Sequence, residues 1–118
     1  MNQANEIKLE KHGTVALLDI EGDVTAFSEP FLNQAYKDSK ELGTRKILIK
    51  FHENAYINSG GIAVLIQILA QTKRNNQEIG ITGLSDHFKK VFHMVGITKF
   101  ATIHPSLGEA LEHMSEES

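Results

Sequence analysis

The sequence predicts one α/β domain built on a mostly parallel sheet of four to five strands, with an N-terminal antiparallel hairpin and about four helices. Three observations predict it. Short β-rich runs alternate with amphipathic stretches along all 118 residues. Strands separated by helices must be joined by crossovers, which sets them parallel in one sheet with helices packed on it. The first two β-rich runs are only a few residues apart, a spacing suited to a hairpin. No Pro/Gly/Ser-rich linker or internal repeat divides the pattern, so the domain is expected to span 1–118, with about 1–5 and 114–118 flexible.

The elements follow in order. Ile7 to Glu10 and Thr14 to Ile20 read as strands joined by Lys11-His12-Gly13. A helix is expected from about Ser28 to Leu42, with Ser28 able to cap it, Glu29 and Pro30 suited to the first turn, and Gly43 at its end. Lys46 to Phe51 is a strand, Ile62 to about Asn75 a helix, and Glu78 to Gly83 another strand. Ser85 caps a third helix, in which Phe88, Val91, Phe92 and Val95 keep i, i+3, i+4, i+7 spacing before Gly96. Lys99 to His104 is the last expected strand, and Ser106 to about His113 a short final helix.

Composition excludes several functions. There is no cysteine, which removes thiolate catalysis, iron–sulfur clusters and cysteine-ligated zinc, and agrees with a cytoplasmic location. A net charge of −3 with scattered lysines and arginines offers no basic stripe for nucleic acid. Met1 to Lys8 does not read as a signal peptide, and the most apolar run, Gly61 to Ala70, is far shorter than the roughly 20 residues of a membrane span, so no direct membrane insertion is expected. The histidines His12, His52, His87, His93, His104 and His113 show no H-E-x-x-H or similar spacing, and neither a metal nor a cofactor is predicted. Gly60-Gly61 lacks the Gly-Lys-Ser/Thr of a phosphate loop.

Ser59 stands where the second helix should begin. One reading makes it the helix cap, its oxygen accepting from a free first-turn N–H, a role worth about 1 kcal/mol. Gly60 and Gly61 either form a tight turn or leave the backbone bare for a close approach by another protein. In a parallel sheet the loops after the second and third strands leave by the same edge, bringing Glu21, Asp23 and Glu53 to the side of Ser59 as an acidic rim. At 100° per residue, Ile62, Leu65, Ile66 and Leu69 form a stripe toward the sheet, while Val64 and Ile68 point away. Those two either meet a neighbouring helix or form an exposed strip for a partner. A hydrolase with Ser59 as nucleophile and His52 as base is disfavoured, because the G-x-S-x-G elbow is missing and no oriented His–acid pair can be read.

Three stretches together resemble the STAS family, named for sulfate transporters and anti-sigma antagonists. They are Ile20-Glu21-Gly22-Asp23-Val24-Thr25, then Tyr56-Ile57-Asn58-Ser59-Gly60-Gly61-Ile62-Ala63-Val64-Leu65, and Leu84-Ser85 through Val95-Gly96-Ile97. The family motif in the second stretch usually reads Asp-Ser-Ser-Gly or Asp-Ser-Ala-Gly; here Asn58 replaces the Asp, Gly60 follows the serine, and Thr25 stands where many members carry Asp. The resemblance implies a non-enzymatic anti-sigma factor antagonist that binds an anti-sigma factor with serine kinase activity and is switched off by phosphorylation at Ser59. It implies a partner surface around Asp23, Thr25, Asn58, Ser59 and Gly60, to which the helix periodicity adds Val64 and Ile68. The alternative it implies is a non-phosphorylated STAS subunit docking on the cytoplasmic face of a membrane transporter.

Overall fold

A strand covered on both faces reads as an unbroken apolar run, and β2 (Val15–Glu21) is one: Val15, Ala16, Leu17, Leu18 and Ile20 are all buried. In the computed structural model, which describes residues 5–115, β2 lies second in a five-stranded sheet of order β1-β2-β3-β4-β5. β1 (Glu6–His12) pairs with it antiparallel. β3 (Lys46–Lys50), β4 (Glu78–Thr82) and β5 (Thr102–Ile103) follow parallel. On the edge strand β1, half-buried Ile7 and Leu9 alternate with exposed Glu6, Lys8 and Glu10, whose charges discourage pairing with another sheet.

Alternation along the strands divides the core in two. Ala16, Leu18, Ile47, Ile49, Ile79 and Ile81 face a large cluster closed by α1 (Glu29–Glu41), α2 (Ser59–Arg74) and α3 (Asp86–Met94). Val15, Leu17 and Leu48 face the other way, where α4 (Leu107–Ser115) covers them with Ala110 and Met114. Beyond the reach of α4 this second face turns polar: Asp19 lies 3.7 Å from Lys50 and 3.1 Å from His52.

The expected elements are present with local differences. Ser85 caps α3 by accepting from the Phe88 N–H at 3.2 Å, and Gly96 follows it with φ +87°. Ser28 does not cap α1. It ends a 3-10 turn, Ala26–Ser28, and its Oγ accepts from the Thr25 N–H at 3.0 Å, an arrangement of short local side-chain bonds that periodicity does not reveal. The expected strand at Lys99 to His104 shrinks to Thr102–Ile103, because Ile97–Lys99 folds as a second 3-10 turn. Of the stretches expected to be flexible, Asn5, Met114 and Ser115 fall within the described residues. Asn5 is buried, with its Nδ2 bonded to the Glu21 and Asp23 carbonyls, Met114 is buried beneath the sheet, and Ser115 ends α4. The rest of those stretches lies outside the described residues.

Candidate functional site

Parallel strands deliver their following loops to one edge, and here the loops after β2 and β3 are joined. Val24 and Ile57 form an isolated parallel bridge, with Val24 N–H donating to Tyr56 O at 2.9 Å and Asn58 N–H to Val24 O at 3.1 Å. Asp23 Oδ1 accepts from the Tyr56 N–H at 3.0 Å. Thr25 caps the 3-10 turn: its Oγ1 accepts from the Phe27 N–H at 3.1 Å, while Ser28 Oγ accepts from the Thr25 N–H. Threonine and aspartate are both N-capping residues, so Thr25 can fill locally the capping role open to the family's Asp.

The joined loops fix where α2 starts. A Cβ on Gly61 would sit 2.2 Å from the Val24 carbonyl oxygen, so only glycine allows the helix this close. A Cβ on Gly60 would lie 3.0 Å from both the Cβ and the N of Ala26. The two glycines therefore serve packing between the loops, rather than a bare backbone open to another protein.

The cap of α2 is Asn58, whose Oδ1 accepts from the Gly61 N–H at 2.9 Å. This corrects the expectation that Ser59 caps the helix. Ser59 is instead the first helical residue, exposed, and its hydroxyl makes no hydrogen bond among the described residues. The N–H groups of Ser59 and Gly60 are likewise unpaired there, leaving two donors and the positive end of the helix dipole beside the hydroxyl. Asn58 thus performs the capping that an aspartate would, and leaves the Ser59 hydroxyl without a capping role.

The exposed strip on α2 is also corrected. Val64 and Ile68 are buried, at 5% and 2% exposure, so neither can touch a partner in this fold. The buried stripe is Gly61, Val64, Leu65, Ile68, Leu69 and Thr72, roughly 80° around the helix from the one periodicity suggested. Gly61 sets that rotation: it must face Val24, which turns Val64 and Ile68 inward and brings Ile66 to the surface at 40% exposure. The exposed apolar groups near Ser59 are aromatic and were missed by periodicity. Phe27, next to the Ala26 that abuts Gly60, is 77% exposed. Tyr56 is 59% exposed and stacks edge-on against Phe88 with centroids 6.0 Å apart.

Of the expected acidic rim, Asp23 is exposed and tied to the loop that leads into Ser59. Glu53 is exposed in the loop after β3, and Glu21 is half-buried at the end of β2. A His–acid pair does exist, His52 with Asp19, but by strand alternation both project from the face of the sheet opposite α2. Ser59 starts the helix on the other face, so the pair does not make a nucleophile of it. Among the described residues no helix is long and apolar enough to cross a membrane.

Comparison with known proteins agrees with this architecture. The family model described as STAS domain matches residues 6–110. An anti-sigma-B factor antagonist of Staphylococcus aureus is 25% identical over 76 residues, which are 64% of this chain and 70% of that protein. An anti-sigma factor antagonist from Mycobacterium paratuberculosis superposes with a TM-score of 0.77 at 20% identity, covering 95% of each chain. The unphosphorylated form of the anti-sigma factor antagonist SpoIIAA gives a TM-score of 0.72 at 11% identity, over 95% of this chain and all of that one (100%). With the family model spanning residues 6–110 and the fold superposing on those structures, the chain belongs to the STAS domain family.

Proposed function

We propose that this protein is an anti-sigma factor antagonist that binds an anti-sigma factor through the edge around Ser59 and is released when that partner phosphorylates Ser59. One observation carries the reading: Asn58 takes over the helix cap, so the Ser59 hydroxyl stands exposed and unpartnered at the head of α2. The named relatives support the partner class, since they are antagonists of anti-sigma factors. The phosphorylated form of SpoIIAA, which superposes with a TM-score of 0.66, shows that this fold tolerates the modification in that protein.

The physical logic is a difference between the free and bound states. In the free protein a phosphate on Ser59 finds the unpaired N–H groups of Ser59 and Gly60 and the helix dipole, so it costs the fold little. In a complex the same group, carrying about −1.5 to −2 charges, is desolvated against a surface shaped for a hydroxyl, on the sheet edge that also carries the carboxylate of Asp23, bonded to the Tyr56 N–H. Phe27 and Tyr56 supply the apolar anchors, and Asp23, Thr25, Asn58 and Gly60 hold the loops that present them. The chain itself performs no catalysis in this scheme; the kinase is the partner. The test is incubation with the cognate anti-sigma factor and ATP, followed by mass spectrometry. One phosphate on Ser59, absent from Ser59→Ala, is expected; a modified Ser59→Ala protein, or a wild type left unmodified, contradicts the assignment.

A further inference from the structure

At the end of the sheet opposite Ser59, the β1–β2 turn and the α1–β3 and α2–β4 connections enclose a cleft of about 440 Å³. Lys11, Thr14, Thr44, Arg45, Lys46 and Asn76 line it. Gly13 and Gly43 also border it, in left-handed backbone with φ +61° and +74°. Among these lining residues Lys11 and Arg45 are cations open to the cleft and Glu78 is the one carboxylate, in a chain whose net charge is −3.

Both of these cations are unpaired among the described residues. Lys11 and Arg45 form no ion pair and no side-chain hydrogen bond among the described residues, whereas Lys50 and Lys89 each meet an aspartate. Lys46 donates to the Met114 carbonyl and belongs to the wall. Thr44 adds an independent observation. It is 8% exposed, and its Oγ1 is buried without a hydrogen-bond partner. A buried hydroxyl left unsatisfied is uncommon in a stable fold, and a ligand in the adjoining cleft would satisfy it after a small rotation.

We propose that this cleft binds a small anion of the organic phosphate class, held by Arg45 and Lys11, with Thr44 as a hydrogen-bonding partner. The guanidinium fork of Arg45 matches two phosphate oxygens, and Lys11, on β1, adds a point charge. The volume lies in the range of small-molecule sites and exceeds what a single phosphate group fills, which favours a phosphate carried on an organic body. Because the cleft and Ser59 sit at opposite ends of the strands, the inference does not depend on the partner reading.

The test is an amide-resolved NMR titration of the full chain with sodium pyrophosphate as probe, at constant ionic strength, with citrate as a matched carboxylate control. Saturable shifts are expected at Gly13, Thr14, Gly43, Thr44 and Asn76, with weaker or no response to citrate. Arg45→Gln should weaken pyrophosphate binding at least about tenfold. Glu78→Gln, which removes the opposing carboxylate, should tighten it, an outcome that loss of structure could not produce. Shifts that stay linear with concentration, affinities unchanged in both variants, or equal binding of citrate would overturn the proposal.

Discussion

Replacing Gly61 by alanine should destabilise the protein although alanine is the better helix former. In an open helix the exchange gains about 1 kcal/mol. Here the new methyl would stand 2.2 Å from the Val24 carbonyl oxygen, against roughly 3.5 Å for an unstrained contact. That carbonyl cannot simply turn away, because it accepts from the Asn58 N–H, so α2 itself must withdraw. Withdrawal loosens Val64, Leu65 and Ile68 against the sheet, and overpacking of this kind costs about 1–3 kcal/mol. Loss of the Asn58–Val24 hydrogen bond adds about 1 kcal/mol. The net loss is about 2 kcal/mol, which for a domain near this size lowers Tm by roughly 6–12 °C. Gly60→Ala is the control: its Cβ would meet Ala26 at 3.0 Å, and it should stay within about 1 kcal/mol of wild type. Thermal melts followed by circular dichroism compare the three proteins. A Gly61→Ala variant as stable as wild type would refute the reasoning that this glycine sets the rotation of α2.

Burial, exposure and capping elsewhere in the fold lead to further outcomes. Val64→Asp or Ile68→Asp buries a charge without a partner and should lower stability by about 3–5 kcal/mol in denaturant titrations, while Phe27→Ala should leave the melt unchanged and weaken partner binding. Asn58→Asp should keep the α2 cap and its stability, whereas Asn58→Ala should lose about 1 kcal/mol in the same titrations. His104 is held below its ordinary pKa of 6.5, first by burial and then by the His113 ring, whose centroid is 5.4 Å away, against the opposing pull of Glu78 and Glu109. The unfolded chain therefore takes up the proton first. Stability is fully present above pH 6.5 and should fall as pH drops through 6.5 toward the folded pKa, a dependence that His104→Gln should flatten.

What the residue pattern conveys well is whatever depends on neighbours in sequence. The alternation of β-rich and amphipathic stretches yields the parallel sheet, and Ser85 and Gly96 mark the ends of α3 because a cap needs only the first turn or the residue after the last. The rotation of α2 was not available in this way. Two stripes fit its apolar residues, both containing Leu65 and Leu69, and the choice between them is made by the contact of Gly61 with Val24, 37 positions away in the chain by their numbers. For the cap of α2, Asn58 and Ser59 are both competent residues, and the join between Val24 and Ile57 decides in favour of Asn58 by placing it in extended backbone. The short turn at Ala26–Ser28 escaped because its bonds run from Thr25 and Ser28 side chains to local backbone, with no apolar period. Exposure of Phe27 follows from that turn and could not precede it.

Calorimetric affinity for the cognate anti-sigma factor, measured for wild type, Ser59→Ala and the Ser59-phosphorylated protein, tests the central claim most directly. A dianion desolvated in the interface costs several kcal/mol, and each ~1.4 kcal/mol is tenfold, so phosphorylation should weaken binding at least about a hundredfold while Ser59→Ala binds like wild type. Equal affinity in all three forms would contradict the account and leave Ser59 an inert surface residue at the head of α2.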